Sequence, residues 1–324
     1  MAQVVTIHQV GGPEVLTLED VTLPSPGPQD ICLRHTVIGL NFIDCYHRSG
    51  LYPIELPSSL GMEAAGVVES VGAEVKHLKA GDRVGYCWGP IGAYATHRIM
   101  NANQVVKLPD FMSEEDAAAL LLKGCTAEYL IRRTYQVKAG DKVLLQAAAG
   151  GVGLIAAPWL KSLGAFVIGT AGSEEKAQLA LNAGCDHVIQ YDHEDIATKV
   201  KDFTDGEGVD VVYDGVGRST WEASLNSLKP RGMMVSFGNA SGPVTNVDLG
   251  ILSQKGSLYV TRPTLFHYYS TAQDRTKGTN ALFDFMKQTD FHPHIGQRYA
   301  LADIARAHKD LEARRTTGST ILKP

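Results

Sequence analysis

The chain of 324 residues has few of the features that mark several large classes of protein. Its five cysteines stand singly, with no C-x-x-C pair, which is typical of reduced thiols rather than of a disulfide framework. No apolar stretch is long enough to span a bilayer, and no apolar signal core follows the amino terminus. We therefore expect a cytoplasmic protein that has no membrane partner.

Charge and catalytic motifs are also sparse. The 35 acidic residues outnumber the 30 basic ones and give a net charge of -5, with no basic run, so a nucleic-acid partner is not expected. The sequence contains no G-x-S-x-G, no H-E-x-x-H and no paired-carboxylate motif. Nothing in it therefore indicates nucleophilic or metal-dependent hydrolysis.

A glycine-rich turn is the most informative feature that is present. Residues 142–153 read KVLLQAAAGGVG, a short apolar strand and a turn that opens an Ala/Leu-rich helix. Glycines at such a turn let the backbone approach a pyrophosphate, whose charge then lies on the amino end of the helix. The usual first glycine is Ala148 here, so the alternative is a tight turn whose glycines serve packing alone.

The order of the elements after this turn favours the nucleotide interpretation. Strand-like runs over residues 142–146, 165–170, 187–190, 209–214, 233–237 and 257–260 alternate with helix-like runs that end at 163 or cover 174–183, 196–203 and 220–228. Nearly continuous apolar strands are typical of a parallel sheet that is buried on both faces. The alternation predicts an α/β, doubly wound fold with its ligand at the carboxyl ends of the strands.

The length predicts two domains. Residues 4–109 alternate short strands with turn clusters, which indicates a mainly β domain, and the strand and helix alternation lapses from about residue 266. Residues 295–324 read as a strand, a helix over 304–313 and a strand over 319–322. We expect this last segment to fold back onto the first domain and the active site to lie in the cleft between the domains.

Short motifs along the whole chain carry a family resemblance. They are NFID at 41–44, RSGLYP at 48–53, GMEAAGVV at 61–68, GDRV at 81–84, AAAGGVG at 147–153, VSFGN at 235–239, LYVTRP at 258–263 and RRTTG at 314–318. Together they resemble the medium-chain dehydrogenase/reductases, and within them the zeta-crystallin-like NADPH:quinone oxidoreductases. The resemblance implies a GroES-like catalytic domain over 1–122, completed by 268–324, a Rossmann NADPH-binding domain over 123–267, and a homodimer.

Zinc-dependent members of this superfamily hold their metal with a cysteine and with the histidine of a Gly-His-Glu triplet. This chain has Asn41 and Met62 at the corresponding places, and an amide and a thioether supply neither the charge nor the basicity that Zn²⁺ requires. The closely spaced cysteines of the structural zinc lobe are absent around residues 85–99. Cys45 lies nearby in sequence, but its nearest histidine is His47 and no third ligand is evident, so we expect no metal.

The identity of the cofactor depends on the end of the second Rossmann strand. NAD-specific folds usually place an acidic residue there, whereas this chain reads GTAGS at 169–173. The resemblance places Ser173, Lys176, Tyr191 and Arg314 around the 2′-phosphate of NADPH, and hydroxyls with cations suit that group. Acidic residues 174 and 175 are a contrary signal, although acids in a first helical turn usually interact with the helix dipole.

The resemblance also implies the remaining contacts with the cofactor. They are expected from Asn41, Tyr129, Ala149, Gly150, Gly151, Val152, Gly172, Phe237, Gly238, Asn239 and Arg262.

Hydride transfer asks little of the protein beyond orientation and stabilisation of charge on the acceptor oxygen. The candidate catalytic residues are Asn41, Tyr46, Tyr52 and Arg262, each of which can donate a hydrogen bond. The two tyrosines could equally be wall residues that select flat aromatic acceptors by stacking. Both interpretations stay open at this point.

We therefore predict a zinc-independent, NADPH-dependent enzyme that reduces quinones. One alternative is an NADPH-dependent enone or enal reductase, which would use the same hydride geometry on a conjugated carbonyl. Another is a nucleotide-binding protein with a structural or RNA-binding role, against which the acidic net charge counts.

Overall fold

The computed structural model describes residues 1–324 and divides them into two units, residues 1–122 with 290–324 and residues 123–289. The strands are β1 Ala2–Ile7, β2 Thr17–Val21, β3 Asp30–Leu40, β4 Ser58–Ser59, β5 Glu63–Val71, β6 Arg83–Tyr86, β7 His97–Asn101, β8 Val106–Lys107, β9 Lys142–Leu145, β10 Phe166–Ala171, β11 His187–Gln190, β12 Val209–Asp214, β13 Leu228–Ser236, β14 Tyr259–Thr261, β15 Ile295–Ala300 and β16 Ser319–Lys323. The helices are α1 Phe42–Ser49, α2 Glu114–Tyr129, α3 Gly153–Ser162, α4 Glu174–Asn182, α5 Ile196–Phe203, α6 Trp221–Asn226, α7 Gly250–Gln254, α8 Leu265–Tyr268, α9 Ala272–Thr289 and α10 Ile304–Glu312.

The first unit is built around the long strand β3. Its residues Ile31, Leu33 and Val37 alternate toward the core with less buried neighbours, which is the period of a strand with one buried face. A seven-stranded sheet has the order β15-β16-β3-β5-β6-β8 with β7 also paired to β3, and a three-stranded sheet has the order β2-β1-β4. Strand β16 pairs antiparallel with β3, so the carboxyl-terminal segment completes the sheet of the first unit.

The second unit is a six-stranded sheet in which every pair is parallel, in the order β11-β10-β9-β12-β13-β14. The chain runs outward from β9 to β11, returns to β12 beside β9, and continues outward to β14. This doubly wound order confirms the predicted fold class and puts the reversal of strand order between β9 and β12. All six predicted strands are present, and β13 begins at Leu228, earlier than expected.

Helix α9 is an element that the sequence analysis missed. Residues 268–289 were assigned to the first domain, but they group with the second unit, where Phe285 stacks on Trp159 of α3 with ring centroids 4.6 Å apart. The buried face of α9 includes Gly278 and Thr279 beside Leu282 and Phe285, and these small residues dilute its apolar period. Neither α9 nor any other helix of the structure is long and apolar enough to cross a membrane.

Candidate active site

The glycine turn connects β9 to α3 at the carboxyl end of the parallel sheet. Ala147 opens the turn in the left-handed region at φ 54°, and its carbonyl accepts from the N–H of Gly150 at 2.9 Å. A Cβ on Gly153 would lie 2.4 Å from the carbonyl oxygen of Ala148, so only glycine allows this helix and strand to approach. A Cβ on Gly150 would meet nothing but the Ala147 oxygen, at 3.1 Å, so the outer side of the turn is open. The predicted contacts Ala149, Gly150, Gly151 and Val152 therefore lie in a turn that is open on its outer side, before the amino end of α3.

The predicted 2′-phosphate residues of the second unit are brought together at the end of β10. Ser173 is the N-cap of α4, and its hydroxyl accepts from the backbone N–H of Lys176 at 3.3 Å. A Cβ on Gly172 would lie 2.4 Å from the hydroxyl oxygen of Tyr191, so the phenol is pressed against the backbone beside the cap. Ser173 and Lys176 thus lie in the cap and first turn of one helix, with the Tyr191 hydroxyl beside the preceding Gly172, and hydroxyls with a cation are chemistry suited to a doubly charged phosphate.

One of the two acidic residues in the first turn of α4 has a partner within the protein. The carboxylate of Glu174 accepts from the side-chain amide of Gln190 at 2.6 Å. It is therefore occupied within the protein, at the helix end where the dipole favours a negative charge.

A third group of predicted residues forms where β13 and β14 end. The guanidinium of Arg262 donates to the hydroxyl of Ser236 at 3.2 Å and to the carbonyl of Gly238 at 3.0 Å. A Cβ on Gly238 would lie 2.2 Å from the carbonyl oxygen of Gly215, so this segment must pass close to the loop after β12. Arg262 is thereby fixed next to residues 237–239.

Tyr129 lies elsewhere in the second unit. It is buried at the end of α2 and stacks on Tyr268 with ring centroids 4.6 Å apart. Arg314 lies in the first unit just after α10, in the left-handed region at φ 58°.

In the first unit, Asn41 is buried at the start of α1. Its backbone N–H donates to the carboxylate of Asp44 at 2.9 Å, and its side-chain amide donates to Glu63 at 2.9 Å. Glu63 is fully buried and also accepts from the N–H of Leu122 at 2.6 Å. The orientation of the Asn41 amide is therefore set by a buried carboxylate.

The two candidate tyrosines are neighbours on and after α1. The ring of Tyr46 meets that of Tyr52 edge to face with centroids 5.2 Å apart, and Phe42 lies 6.2 Å from Tyr46. The N–H of Tyr52 donates to the carbonyl of Tyr46 at 3.1 Å, which ties the loop to the helix. The arrangement is a small aromatic surface with two hydroxyls, and it supports both roles proposed for them.

The positions that correspond to zinc ligands in the zinc-dependent members of the superfamily are occupied by side chains with other contacts. Met62 is buried, and the Asn41 amide is used by Glu63. The histidine beside Cys45 is His308 of α10, at 3.4 Å from sulfur to Nδ1, and not His47, which is next in sequence. Burial raises the pKa of the Cys45 thiol well above its ordinary value. No group of three or more His, Cys, Asp or Glu side chains in the chain could hold a metal ion.

Two buried polar networks were missed by the sequence analysis. In the first unit, Nδ1 of His308 accepts from Arg48 at 3.0 Å, and Nε2 lies 3.1 Å from the hydroxyl of Tyr94, which donates to Asp44 at 2.8 Å. Burial, with the charge of Arg48 second, lowers the pKa of His308 to about 3, so the imidazole is neutral.

The second network, centred on Asp214, lies under the glycine turn. Only the NFID motif, which places Asp44 three residues after an N-cap, could have signalled part of them.

A six-stranded doubly wound sheet with an open glycine turn, together with a separate β unit, is typical of dinucleotide-dependent oxidoreductases. Two family models match the chain, "Alcohol dehydrogenase GroES-like domain" over residues 27–110 and "Zinc-binding dehydrogenase" over residues 151–284. The zinc of the latter description has no suitable ligands here at residues 41 and 62.

Individual proteins are similar over their whole length. A quinone oxidoreductase of Pseudomonas aeruginosa is 53% identical, with 100% of each chain covered. A 2-haloacrylate reductase of Burkholderia is 45% identical, with 100% of this chain and 99% of that protein covered. A crystal structure of Escherichia coli quinone oxidoreductase complexed with NADPH has a TM-score of 0.97 and 50% identity, covering 99% of this chain and 100% of that chain. The chain belongs to the quinone oxidoreductase family of the medium-chain dehydrogenase/reductases, which confirms the predicted resemblance.

Proposed function

We propose that this protein is an NADPH-dependent quinone reductase that works without zinc. The observation that carries the choice of cofactor is the group formed by Ser173, Lys176 and Tyr191 around the amino end of α4, with the nearby Glu174 held by Gln190. Quinone as the acceptor rests on the full-length similarity to quinone oxidoreductases.

Each predicted residue has a defined task in this proposal. When bound, NADPH supplies the hydride. The glycine turn holds the pyrophosphate, and Arg262, fixed by Ser236 and Gly238, lies at the carboxyl end of β14. Asn41, whose amide is oriented by Glu63, serves the nicotinamide and acceptor end. Tyr46 and Tyr52 either donate a hydrogen bond to the acceptor oxygen or hold the ring of the acceptor.

Steady-state assays with a panel of benzo- and naphthoquinones test the function. We expect NADPH to be oxidised in proportion to quinone reduced, with a much higher kcat/KM for NADPH than for NADH. The proposal is wrong if purified protein that binds NADPH reduces no quinone in the panel, or if NADH is the better donor.

A conjugated acid or carbonyl is the second candidate acceptor, and the 45% identity to a 2-haloacrylate reductase favours it. The same assay with 2-chloroacrylate and with an enone separates the two. A kcat/KM for these compounds above that of every quinone would make double-bond reduction the main activity.

We also infer a homodimer in the cytoplasm. Strand β14 is the last strand of its sheet and exposes Tyr259 and Val260, and Leu249 nearby is 74% exposed. An unpaired edge with apolar side chains invites pairing with a second copy about a two-fold axis. None of the five cysteines forms a disulfide, which fits a reducing compartment. Sedimentation of a monomer at micromolar concentration would contradict the dimer, and the variant Val260→Lys should produce that monomer.

A further inference from the structure

Four polar side chains are buried beneath the glycine turn, each from a different element. Gln146 follows β9, Thr170 is in β10, Asp214 ends β12 and Ser224 is in α6, and none is more than 3% exposed. Buried polar groups are costly unless hydrogen-bonded, so the pattern of their bonds defines their role.

The hydrogen bonds run in one direction, because a carboxylate can only accept. Asp214 accepts from the hydroxyl of Ser224 at 2.7 Å, which leaves the Ser224 oxygen to accept from the side-chain amide of Gln146 at 3.0 Å. The carbonyl oxygen of that amide accepts from the hydroxyl of Thr170 at 2.8 Å. The oxygen of Thr170 finally accepts from the backbone N–H of Ala147 at 3.0 Å.

This relay ends on the one residue of the turn that needs support. Ala147 has a Cβ and holds φ at 54°, a conformation that costs an L-residue about 1–2 kcal/mol. Its N–H is held by Thr170 and its C=O by Gly150, so both of its peptide groups are fixed. The left-handed Ala147 starts the turn whose outer side is open at Gly150.

The other oxygen of Asp214 organises the neighbouring loop. It accepts from the N–H groups of Val216 and Gly217 at 2.8 and 3.0 Å, and the backbone carbonyl of Asp214 accepts from Phe237 at 2.8 Å. The loop beginning at Gly215 is the one that Gly238 closely approaches. One carboxylate therefore anchors both the pyrophosphate turn and the segment 237–239.

We propose that Gln146, Thr170 and Ser224, anchored by Asp214, are positioning residues that pre-organise the glycine turn for the dinucleotide. The inference rests on the dinucleotide binding proposed above and adds residues that touch no part of the ligand. Because the relay acts on the pyrophosphate turn, which NADPH and NADH share, its loss weakens both cofactors equally. Lys176, by contrast, acts on the 2′-phosphate alone.

The variant Thr170→Val removes the hydroxyl and keeps the β-branched shape. Thr204→Val is a matched control, because Thr204 is equally buried, its hydroxyl also donates to carbonyl oxygens, of Val200 at 2.7 Å and of Lys201 at 3.5 Å, and it accepts from one backbone N–H, of Gly208. We expect Thr170→Val to raise the Kd of both NADPH and NADH about tenfold, to leave the quinone KM at saturating NADPH unchanged, and to be rescued by Thr170→Ser. Thr204→Val should lower Tm without changing either Kd.

Kd is measured by cofactor fluorescence and Tm by calorimetry on the whole protein. The proposal is overturned if Thr170→Val has Kd values within twofold of wild type and a fall in Tm like that of Thr204→Val. The hydrogen bonds of the relay would then contribute to stability alone. If Thr170→Val does not fold, the variant Ser224→Ala tests the proposal instead. We expect it to raise the Kd of both NADPH and NADH about threefold. A rise in the Kd of NADPH alone would overturn the proposal. Wild-type protein that binds both nucleotides but reduces no quinone refutes the proposed function and leaves this inference to be judged on Kd.

Discussion

Removal of the Lys176 side chain is the sharpest test of cofactor choice. Lys176 lies in the first turn of α4 and is half-buried, and its backbone N–H already caps the helix by donating to Ser173. Alanine keeps that backbone bond and has the best helix propensity, so Lys176→Ala should fold normally. A hydrogen bond to a charged group contributes about 1.5–3 kcal/mol, and partial exposure favours the lower end. We expect the Kd of NADPH to rise about 10- to 30-fold and that of NADH to stay within about twofold.

The assay is a fluorescence titration of wild type, Lys176→Ala and the control Lys201→Ala, which removes an exposed lysine from α5. Raising the salt concentration should weaken NADPH binding to wild type and to the control more than to Lys176→Ala, because the screened ion pair is already missing in the variant. Equal losses for NADPH and NADH, or a loss of the same size in Lys201→Ala, would refute the 2′-phosphate assignment.

Three further predictions concern the first unit. The variants Tyr46→Phe and Tyr52→Phe distinguish the two roles proposed for these tyrosines. If a hydroxyl donates to the acceptor oxygen, its removal lowers kcat and kcat/KM together by about 10- to 1,000-fold. Wild-type kinetics in both single variants and in the double variant would mean that the rings act only by stacking. Because residues 41 and 62 are poor zinc ligands, activity should survive exhaustive chelation, and elemental analysis that finds one zinc per chain, with activity lost on its removal, would contradict this. Burial lowers the pKa of His308 from 6.5 to about 3, so the unfolded chain binds a proton that the folded one does not, and stability falls as the pH drops through that window. Urea unfolding between pH 7 and 4 should show a shallower pH dependence in His308→Gln, by at most about 1.4 kcal/mol per pH unit, and an unchanged slope would argue against a neutral buried imidazole.

The sequence by itself determined the parallel-sheet unit. Its strands are short and mostly apolar because the inner ones are covered on both faces, and the helices α3 and α4 between them are followed by glycines, so local signals locate all six strands. The glycine turn, the N-cap Ser173 with Lys176, and the absence of an acid at residues 171–173, where β10 ends, are likewise local, and the structure has Ser173 as the N-cap of α4 and Tyr191 beside Gly172.

Helix α9 shows where local signals fail. Its buried face uses Gly278 and Thr279 as well as large apolar residues, because the available space is set by partners such as Trp159 of α3. A pattern that depends on the shape of a distant surface cannot be recognised from hydrophobic period alone.

Only the tertiary structure decided which polar residues act together. His308 is 263 residues from Cys45 and 260 from Arg48 in sequence, and it is their partner in place of His47, the sequence neighbour. The Asp214 relay likewise joins the ends of three strands and a helix. In each case a buried polar group destabilises the fold unless it is hydrogen-bonded, and its partner belongs to an element that the order of strands in the sheet places next to it. That order is a property of the whole fold, and no spacing along the chain encodes it.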